Sequence, residues 1–151
     1  MKILIATDHH VMPVLDLARC MAKETSTYRD FDFDEEKARL FITDHVNNTG
    51  RLMLVAQTDQ GELVGAFLAT ATETYFGRDI VTQDDAFYVL PEHRGKGTLA
   101  QFLMAYHQWA ETLKPKYIYL GVTLGINDER TVEALKQAGY EPFGTLLRRT
   151  G

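Results

Sequence analysis

The sequence predicts a single α/β domain spanning residues 1–151, with about four helices. Runs rich in β-branched and aromatic residues alternate along the chain with segments whose apolar residues recur every three or four positions. The 151 residues, 45% hydrophobic and 25% charged, match one ordinary domain with a core large enough to fold unaided. No repeat, linker or low-complexity segment divides them.

The first half of the chain predicts a strand, two helices and a hairpin. Lys2–Ala6 is short and β-rich, and apolar residues at helical spacing over residues 11–22 predict the first helix. Asp34 is a typical N-cap for a second helix, whose apolar face is formed by Ala38, Phe41, Ile42 and His45. Strands are predicted at 52–57 and 63–70, because the Asp and Gly residues between them are typical of a hairpin turn.

The second half predicts further alternation of strands and helices. Asp85–Val89 is a predicted strand, and Pro91 ends its regular pairing because proline has no N–H to donate. The remaining predicted elements are a helix over 99–110, a strand at 117–122, a helix at 129–138 closed by Gly139, and a terminal strand at 143–148. The predicted order is therefore βααβββαβαβ.

Composition narrows the class of protein. The net charge of −5 argues against a broad nucleic-acid surface, which needs a basic face to displace counterions. Cys20 is the only cysteine, so no intrachain disulfide or thiolate metal cluster is expected, and its place on the first helix predicts a buried filler. Ile3–Ala6 is too short for a signal peptide or membrane span. We expect a cytoplasmic protein that binds neither membrane nor metal; its oligomeric state stays open, a homodimer being one alternative.

The junction between the 85–89 strand and the next helix carries the strongest motif. In Arg94-Gly95-Lys96-Gly97-Thr98, two glycines bracket a lysine, so the backbone can adopt positive φ and approach a ligand closely. The following helix points unpaired N–H groups at the same place, which favours an anion. The alternative is a solvated basic turn.

This junction, together with the order of elements, resembles the GNAT superfamily of acetyl-CoA-dependent N-acyltransferases. The family pattern of Arg or Gln, two residues, Gly, one residue, then Gly or Ala is matched by Arg94 and Gly97, whereas Leu99 replaces the last small residue. A second match is Asp128–Tyr140, which is similar to the penultimate helix of the family ending in Gly-Phe or Gly-Tyr. The softer resemblance to small phage and bacterial members brings no established substrate.

The resemblance implies a GNAT-like α/β fold, with a mixed central sheet flanked by about four helices, and a cofactor site. Two parallel strands, here Phe87–Val89 and Tyr117–Val122, would splay apart and admit the pantetheine arm of acetyl-CoA, with the diphosphate on the amides of the loop. The cofactor-binding residues so implied are Phe87, Tyr88, Val89, Arg94, Gly95, Lys96, Gly97, Thr98, Leu99, Asn127 and Asp128.

Two adjacent carboxylates are candidates for the general base. An amine with a pKa of about 10.4 is neutral in only about one molecule in 2,500 at pH 7, so a base is expected. The family often has an acidic residue on the strand before the loop, and Asp84 matches that position more closely than Asp85. Adjacent strand residues face opposite ways, so only one can reach the acceptor. The alternative is that both simply begin a strand at the surface.

Other candidate site residues follow from the same resemblance. Glu24 is a second candidate base, and Tyr28 and Phe76 are expected to contact the substrate, as is Glu24. The family's usual tyrosine acid is replaced by Leu135. A thiol with a pKa of about 8.5 leaves reasonably well as the anion, so this absence need not stop the reaction. The tyrosines that could substitute are Tyr88, Tyr119 and Tyr140.

The sequence therefore predicts an N-acetyltransferase that moves the acetyl group of acetyl-CoA directly to a primary amine of a small molecule or protein. No Ser, Cys or His triad spacing indicates a covalent intermediate. The alternative is a catalytically silent acyl-CoA-binding or interaction protein on the same fold. A nucleotide triphosphatase is excluded, because a Walker loop needs Ser or Thr directly after the lysine and Gly97 stands there.

Overall fold

The computed structural model describes residues 1–151 as a five-stranded sheet with helices on its two faces. The strands are β1 (Lys2–Ile5), β2 (Arg51–Gln57), β3 (Leu63–Glu73), β4 (Ile80–Val89) and β5 (Tyr117–Tyr119). The helices are α1 (Val11–Glu24), α2 (Glu35–Asn47), α3 (Thr98–Thr112) and α4 (Asp128–Gln137). The predicted α/β class with four helices is confirmed.

The strands lie in the order β1-β2-β3-β4-β5. The first four pair antiparallel, and β5 pairs parallel with β4, which makes the sheet mixed as predicted. The parallel pairing joins only Val81–Gln83 to Tyr117–Tyr119. Beyond these residues the two strands separate, as the resemblance implied.

A buried core lies on each face of the sheet. Apolar residues of α1 and α2, among them Leu15 and Ile42, pack with Val55 and Leu68 on one face. On the other face Tyr106 and Phe102 of α3 pack against Phe67, with ring centroids 5.0 and 5.8 Å from it. These three rings are completely buried, so they anchor α3 and fix where its N-terminus lies.

A bulge in β4 decides how two acidic residues face. Leu68 and Ala69 of β3 pair with Ala86 and Asp84, so Asp85 is an extra residue on β4. Regular alternation would send Asp85 to the face opposite Ala86, but the bulge lets both side chains lie on the same face of the sheet. Asp85 consequently points toward α2 and not toward α3.

Four expectations from the sequence differ from the structure. The strand predicted at 117–122 ends at Tyr119, where its pairing with β4 stops. β4 begins at Ile80, well before the predicted start, because the polar Thr82–Asp84 stretch pairs with β3. Residues 143–148 form no strand: Gly144 has a φ of 91°, and no backbone hydrogen bond joins this segment to the sheet. Cys20 is exposed, because it lies one turn after the exposed Asp16 on the solvent side of α1. None of the helices has the length and apolar character needed to cross a membrane.

Candidate functional site

The point where β4 and β5 separate forms a fork with a carboxylate inside it. The last paired residues are Gln83 and Tyr119, and the next residue of β4 is Asp84. Its Oδ1 accepts a hydrogen bond from the Gly121 N–H at 2.6 Å, which bridges the two diverging segments. From Asp84 to Val89 the edge of β4 facing β5 has no strand partner, so its backbone groups, except the Val89 carbonyl oxygen that accepts from Arg94 Nε, are available to a ligand.

The surroundings of Asp84 favour its protonated form. Burial raises the pKa of Asp84 to about 6, and the nearby charge of Asp85 acts in the same direction. The hydrogen bonds from the Gly121 N–H and from its own N–H only partly offset this. A carboxylate of this kind can accept a proton near neutral pH, which an ordinary surface aspartate does poorly.

Asp85 has a different environment on the other face of the sheet. Its Oδ2 contacts His45 Nε2 at 2.7 Å and accepts a hydrogen bond from the Thr70 hydroxyl. Burial alone would raise the pKa of Asp85, but the hydrogen bonds from His45 and Thr70 and the charges of His45 and Arg51 lower it. The expectation that the adjacent aspartates face different ways therefore matches the contacts of both.

The imidazole of His45 is completely buried and lies between two acceptors. Its Nδ1 contacts the Phe41 carbonyl oxygen at 2.8 Å, and its Nε2 contacts the Asp85 carboxylate. Both ring nitrogens of His45 therefore have an oxygen partner within hydrogen-bond distance. Asp85 is thus held in a tether between β4 and α2.

The glycine-rich loop has the backbone shape that the sequence predicts. Gly95 and Gly97 have φ values of 74° and 80°, a region that favours glycine, and a Cβ at either position would meet only open space. The N–H groups of Thr98, Leu99 and Ala100 have no backbone or side-chain partner. They form an anion-binding cradle at the start of α3.

The Arg94 guanidinium is turned away from this cradle. It donates to both carboxylate oxygens of Glu24, at 2.6 and 2.7 Å, and its Nε donates to the Val89 carbonyl oxygen. The Tyr88 hydroxyl donates to the same carboxylate at 2.6 Å. The hydrogen bonds from Arg94, followed by that from Tyr88, lower the pKa of Glu24. Glu24 therefore ties α1 to the loop and is a poor proton acceptor.

A cavity of about 600 Å³ runs beside the cradle between β4, α3 and α4. Of the implied cofactor-binding residues, nine line it: Phe87, Tyr88, Val89, Arg94, Gly95, Gly97, Thr98, Leu99 and Asn127. Lys96 and Asp128 do not. Lys96 is exposed on the loop, and the carboxylate of Asp128 accepts the N–H groups of Gly125 and Ile126. We refer to this space as the cofactor cavity, after the cofactor-binding residues that the sequence predicts there.

A histidine side chain lines the cofactor cavity and contacts a tyrosine behind the cavity wall. His107 of α3 lines the wall, and its Nε2 lies 2.7 Å from the Tyr140 hydroxyl. Gly139, with a φ of 94°, ends α4 so that the Tyr140 N–H returns to the Leu135 carbonyl, and this places the ring. Burial raises the pKa of Tyr140 to about 12. Leu135 itself is buried and lies outside the cavity wall.

The other tyrosines considered as acids have separate partners. The Tyr88 hydroxyl is held by Glu24, and burial, the largest influence, raises its pKa. Tyr119 stacks between the rings of Tyr117 and Phe143 and does not line the cofactor cavity. Tyr88 lines the cofactor cavity with its hydroxyl bound to Glu24, whereas Tyr140 lies behind the cavity wall and contacts it through His107.

A second cavity, of about 230 Å³, lies between α1, α2 and the sheet. We call it the apolar cavity, because 16 of its 17 lining residues are hydrophobic. Tyr28, which the sequence predicts to contact substrate, lines it. Phe76 is fully exposed at the tip of the β3–β4 connection and lines neither cavity.

Sequence reasoning did not assign three residues that the fold brings to the site. His107 lies on the apolar stripe of α3, where a histidine looks like any core residue. Arg130 lies in the first turn of α4 and lines the cofactor cavity. His45 could be placed on the apolar face of α2, but its partner Asp85 is 40 residues away. No group of three or more His, Cys, Asp or Glu residues comes together as metal ligands.

Comparisons with known proteins agree with this geometry. A family model described as the acetyltransferase (GNAT) family matches residues 17–140. A search of curated proteins finds no match.

Solved structures share the fold at low identity. A tetramutant of the BH1408 protein from Bacillus halodurans is 15% identical with a TM-score of 0.81, covering 99% of each chain. AAC(6')-Iy in complex with the bisubstrate analogue CoA-S-monomethyl-acetylneamine is 13% identical with a TM-score of 0.78, over 99% of this chain and 97% of that one. A ribosomal-protein-alanine N-acetyltransferase from Brucella melitensis biovar Abortus 2308 is 17% identical with a TM-score of 0.70, over 99% and 100%.

Proposed function

The chain belongs to the acetyltransferase (GNAT) family, and from this premise we propose that it transfers the acetyl group of acetyl-CoA directly to a primary amine. The observation that carries the proposal is the fork between β4 and β5. It combines an unpaired strand edge with a carboxylate of raised pKa, and the end of that edge, Phe87–Val89, lines a cavity that leads to an anion cradle. Acyl transfer to an amine needs a place for the thioester and a base for the ammonium.

The residues of the cofactor cavity fit coenzyme A. Three unpaired N–H groups at the start of α3 suit a diphosphate, and a helix N-terminus adds about 0.3–2 kcal/mol for a negative group. Lys96 and Arg130 make no salt bridge and supply positive charge beside the cradle, whereas Arg94 is neutralised by Glu24. The free edge of β4 from Asp84 to Val89 can bond the amides of the pantetheine arm as a further strand would.

Asp84 is the group that we propose accepts a proton from the substrate ammonium. Making an amine with a pKa of about 10.4 neutral at pH 7 costs roughly 4.6 kcal/mol. A carboxylate with a pKa of about 6 reduces the mismatch relative to one near 4. The freed amine attacks the acetyl carbonyl carbon, the nitrogen of the tetrahedral adduct releases its second proton to water, and the C–S bond breaks. The products are the N-acetylated amine and the coenzyme A thiolate.

His107 is the group that we propose supplies a proton to the departing thiolate. It lines the cofactor cavity, while Tyr140, with a pKa near 12, keeps its proton through neutral pH and orients the imidazole. A hydroxyl of that pKa is a much weaker acid than a thiol of about 8.5, so it serves as a hydrogen-bond partner. The replacement of the family tyrosine by Leu135 is thereby accommodated.

The test combines binding with turnover. Calorimetry with coenzyme A and acetyl-CoA measures the affinity of the cofactor cavity, and thiol release against a panel of primary amines measures transfer. Mass spectrometry then identifies the N-acetylated product. We expect binding of both cofactor forms and amine-dependent thiol release.

The two alternatives separate in this experiment. Failure of both cofactor forms to bind at millimolar concentration would overturn the proposal. Binding without release of thiol on any amine would favour a silent acyl-CoA-binding protein, the reading to which buried Leu135 gives some support.

A further inference from the structure

We infer that the acceptor is a small primary amine carrying one apolar group, about the size of an aromatic ring on a short chain. This inference rests on the proposed function and assigns the apolar cavity as the place where the carbon skeleton of the acceptor is buried.

The wall of the apolar cavity favours an apolar group over a charged or hydroxylated one. Leu17 and Met21 of α1, Ile42 of α2 and Leu68 of β3 surround the space, and Asp32 is the only charged residue in the wall. Burying a polar or charged group there without partners is unfavourable, whereas apolar surface gains from leaving water. A multiply charged amine or an aminosugar with many hydroxyls does not suit this wall.

The volume of the apolar cavity limits the size of the group that it can hold. An apolar cavity of about 150 Å³ holds benzene, so the 230 Å³ here accommodates a ring with a short chain. Drug-sized ligands generally occupy about 300–1,000 Å³. The buried part of the acceptor is therefore small.

The loop between α1 and α2 forms an aromatic and acidic rim at the mouth of the apolar cavity. Residues 30–34 alternate aspartate and phenylalanine, and Phe31 and Phe33 remain 67% and 37% exposed although they line the cavity. Exposed apolar groups at the mouth of an apolar cavity are typical of a ligand site. The intervening carboxylates attract the single ammonium group.

The apolar cavity adjoins the part of β4 that has separated from β5. Phe87 and Tyr88 line both the apolar cavity and the cofactor cavity, and Ala86, next to the aspartate pair, lines the apolar one. An acceptor whose apolar group lies in the apolar cavity therefore meets, at β4, a thioester that lies in the cofactor cavity. The α1–α2 loop also contacts the segment after β5, through the Thr27 hydroxyl and the Thr123 carbonyl oxygen, which borders the same region.

The experiment compares amines of one positive charge that differ in apolar surface. We expect kcat/KM for 2-phenylethylamine to exceed that for ethanolamine by on the order of 10- to 100-fold, and neamine to be a poor acceptor. Ala38→Leu fills the cavity, and Phe31→Ser removes an exposed rim ring; both should raise KM for 2-phenylethylamine several-fold without changing the affinity for acetyl-CoA. Tyr75→Ser is the matched control, because it removes a fully exposed aromatic ring that lines neither cavity.

The outcomes separate this inference from the proposed function. Equal use of the two small amines, or a preference for neamine, would overturn the inference and leave acetyl transfer intact. If acetyl-CoA binds but no amine reacts, calorimetry of 2-phenylethylamine with the coenzyme A complex decides: binding weakened by Ala38→Leu supports the site, and absence of binding rejects it. If acetyl-CoA itself does not bind, the proposed function fails and the same titration of the free protein decides the cavity.

Discussion

Asp84 and Asp85 are neighbours in sequence, yet their carboxyl groups have opposite properties because of one bulge. Asp84 lies in the fork, where burial raises its pKa to about 6. Asp85 is turned to α2, where His45 and Thr70 hold it ionised. The sequence could indicate that a pair of carboxylates lies before the loop. It could not indicate which one stays available, because the bulge and the buried histidine depend on pairing with distant residues.

The first prediction concerns Asp84→Asn. If Asp84 is the base, kcat should fall by about 10²- to 10⁴-fold, with acetyl-CoA affinity nearly unchanged. In the unchanged protein, kcat should rise as pH increases through about 6, because the base must be ionised, and the variant should lose this rise. Initial rates between pH 5 and 8 measure both effects. Asp79→Asn, on an exposed loop, is the control; an unaltered pH profile in Asp84→Asn would contradict the assignment.

At the scale of elements, two side-chain tethers hold the helices of one face to the site. Arg94 and Glu24 join the glycine-rich loop to the end of α1, and His45 and Asp85 join α2 to β4. The sequence predicted the helices and the loop from local signals, namely apolar spacing, the Asp34 cap and paired glycines. The partner of Arg94 lies 70 residues earlier, so no local pattern could show that Glu24 neutralises it.

The second prediction concerns the tether between α1 and the loop. Glu24→Gln weakens a partly exposed ion pair, which we expect to cost about 1 kcal/mol, so KM for acetyl-CoA should rise about fivefold. The change in kcat should be smaller, because the carboxylate does not touch the reacting atoms. Steady-state kinetics with acetyl-CoA as the varied substrate measure the split. Glu92→Gln makes the same charge change at an exposed residue near the loop and should have no effect. A drop in kcat alone would instead assign Glu24 a catalytic role.

The third prediction concerns the tether between α2 and β4. Asp85→Asn removes one charged partner of buried His45 and should lower the free energy of unfolding by about 1.5–3 kcal/mol at pH 7. Because the pKa of Asp85 is lowered by folding, its contribution is full above the unfolded value of about 3.9 and is lost as pH falls through the lower folded value. The difference between variant and unchanged protein should therefore shrink below about pH 4. Urea unfolding at several pH values tests this, with exposed Asp30→Asn as control; a constant difference would contradict it.

At the scale of the whole molecule, the cofactor cavity lies between a well-packed body and a lightly anchored helix. The sheet with α1, α2 and α3 contains both buried cores. α4 buries only Leu135, which belongs to neither core, and its C-terminal end is tied to α3 by the contact between Tyr140 and His107. The order of elements was predictable because each has its own periodic pattern. The conformation of residues 143–148 was not predictable, because Gly144 has a positive φ and the side chains of Leu146 and Leu147 stay exposed.

The last prediction follows from this asymmetry. Coenzyme A that bridges α3, β4 and α4 should stabilise α4 most, because a segment with little buried surface opens locally more often than the core does. A ligand at 100 times its Kd stabilises the bound state by about 2.7 kcal/mol, so amide exchange through openings that release it should slow by up to about 100-fold. Hydrogen exchange with and without coenzyme A should show this slowing over residues 128–137. Exchange in α2, which lines no part of the cofactor cavity, should be unchanged. Arg130→Ala should reduce the protection of α4 together with the affinity, and protection confined to the start of α3 would mean that α4 does not close the site.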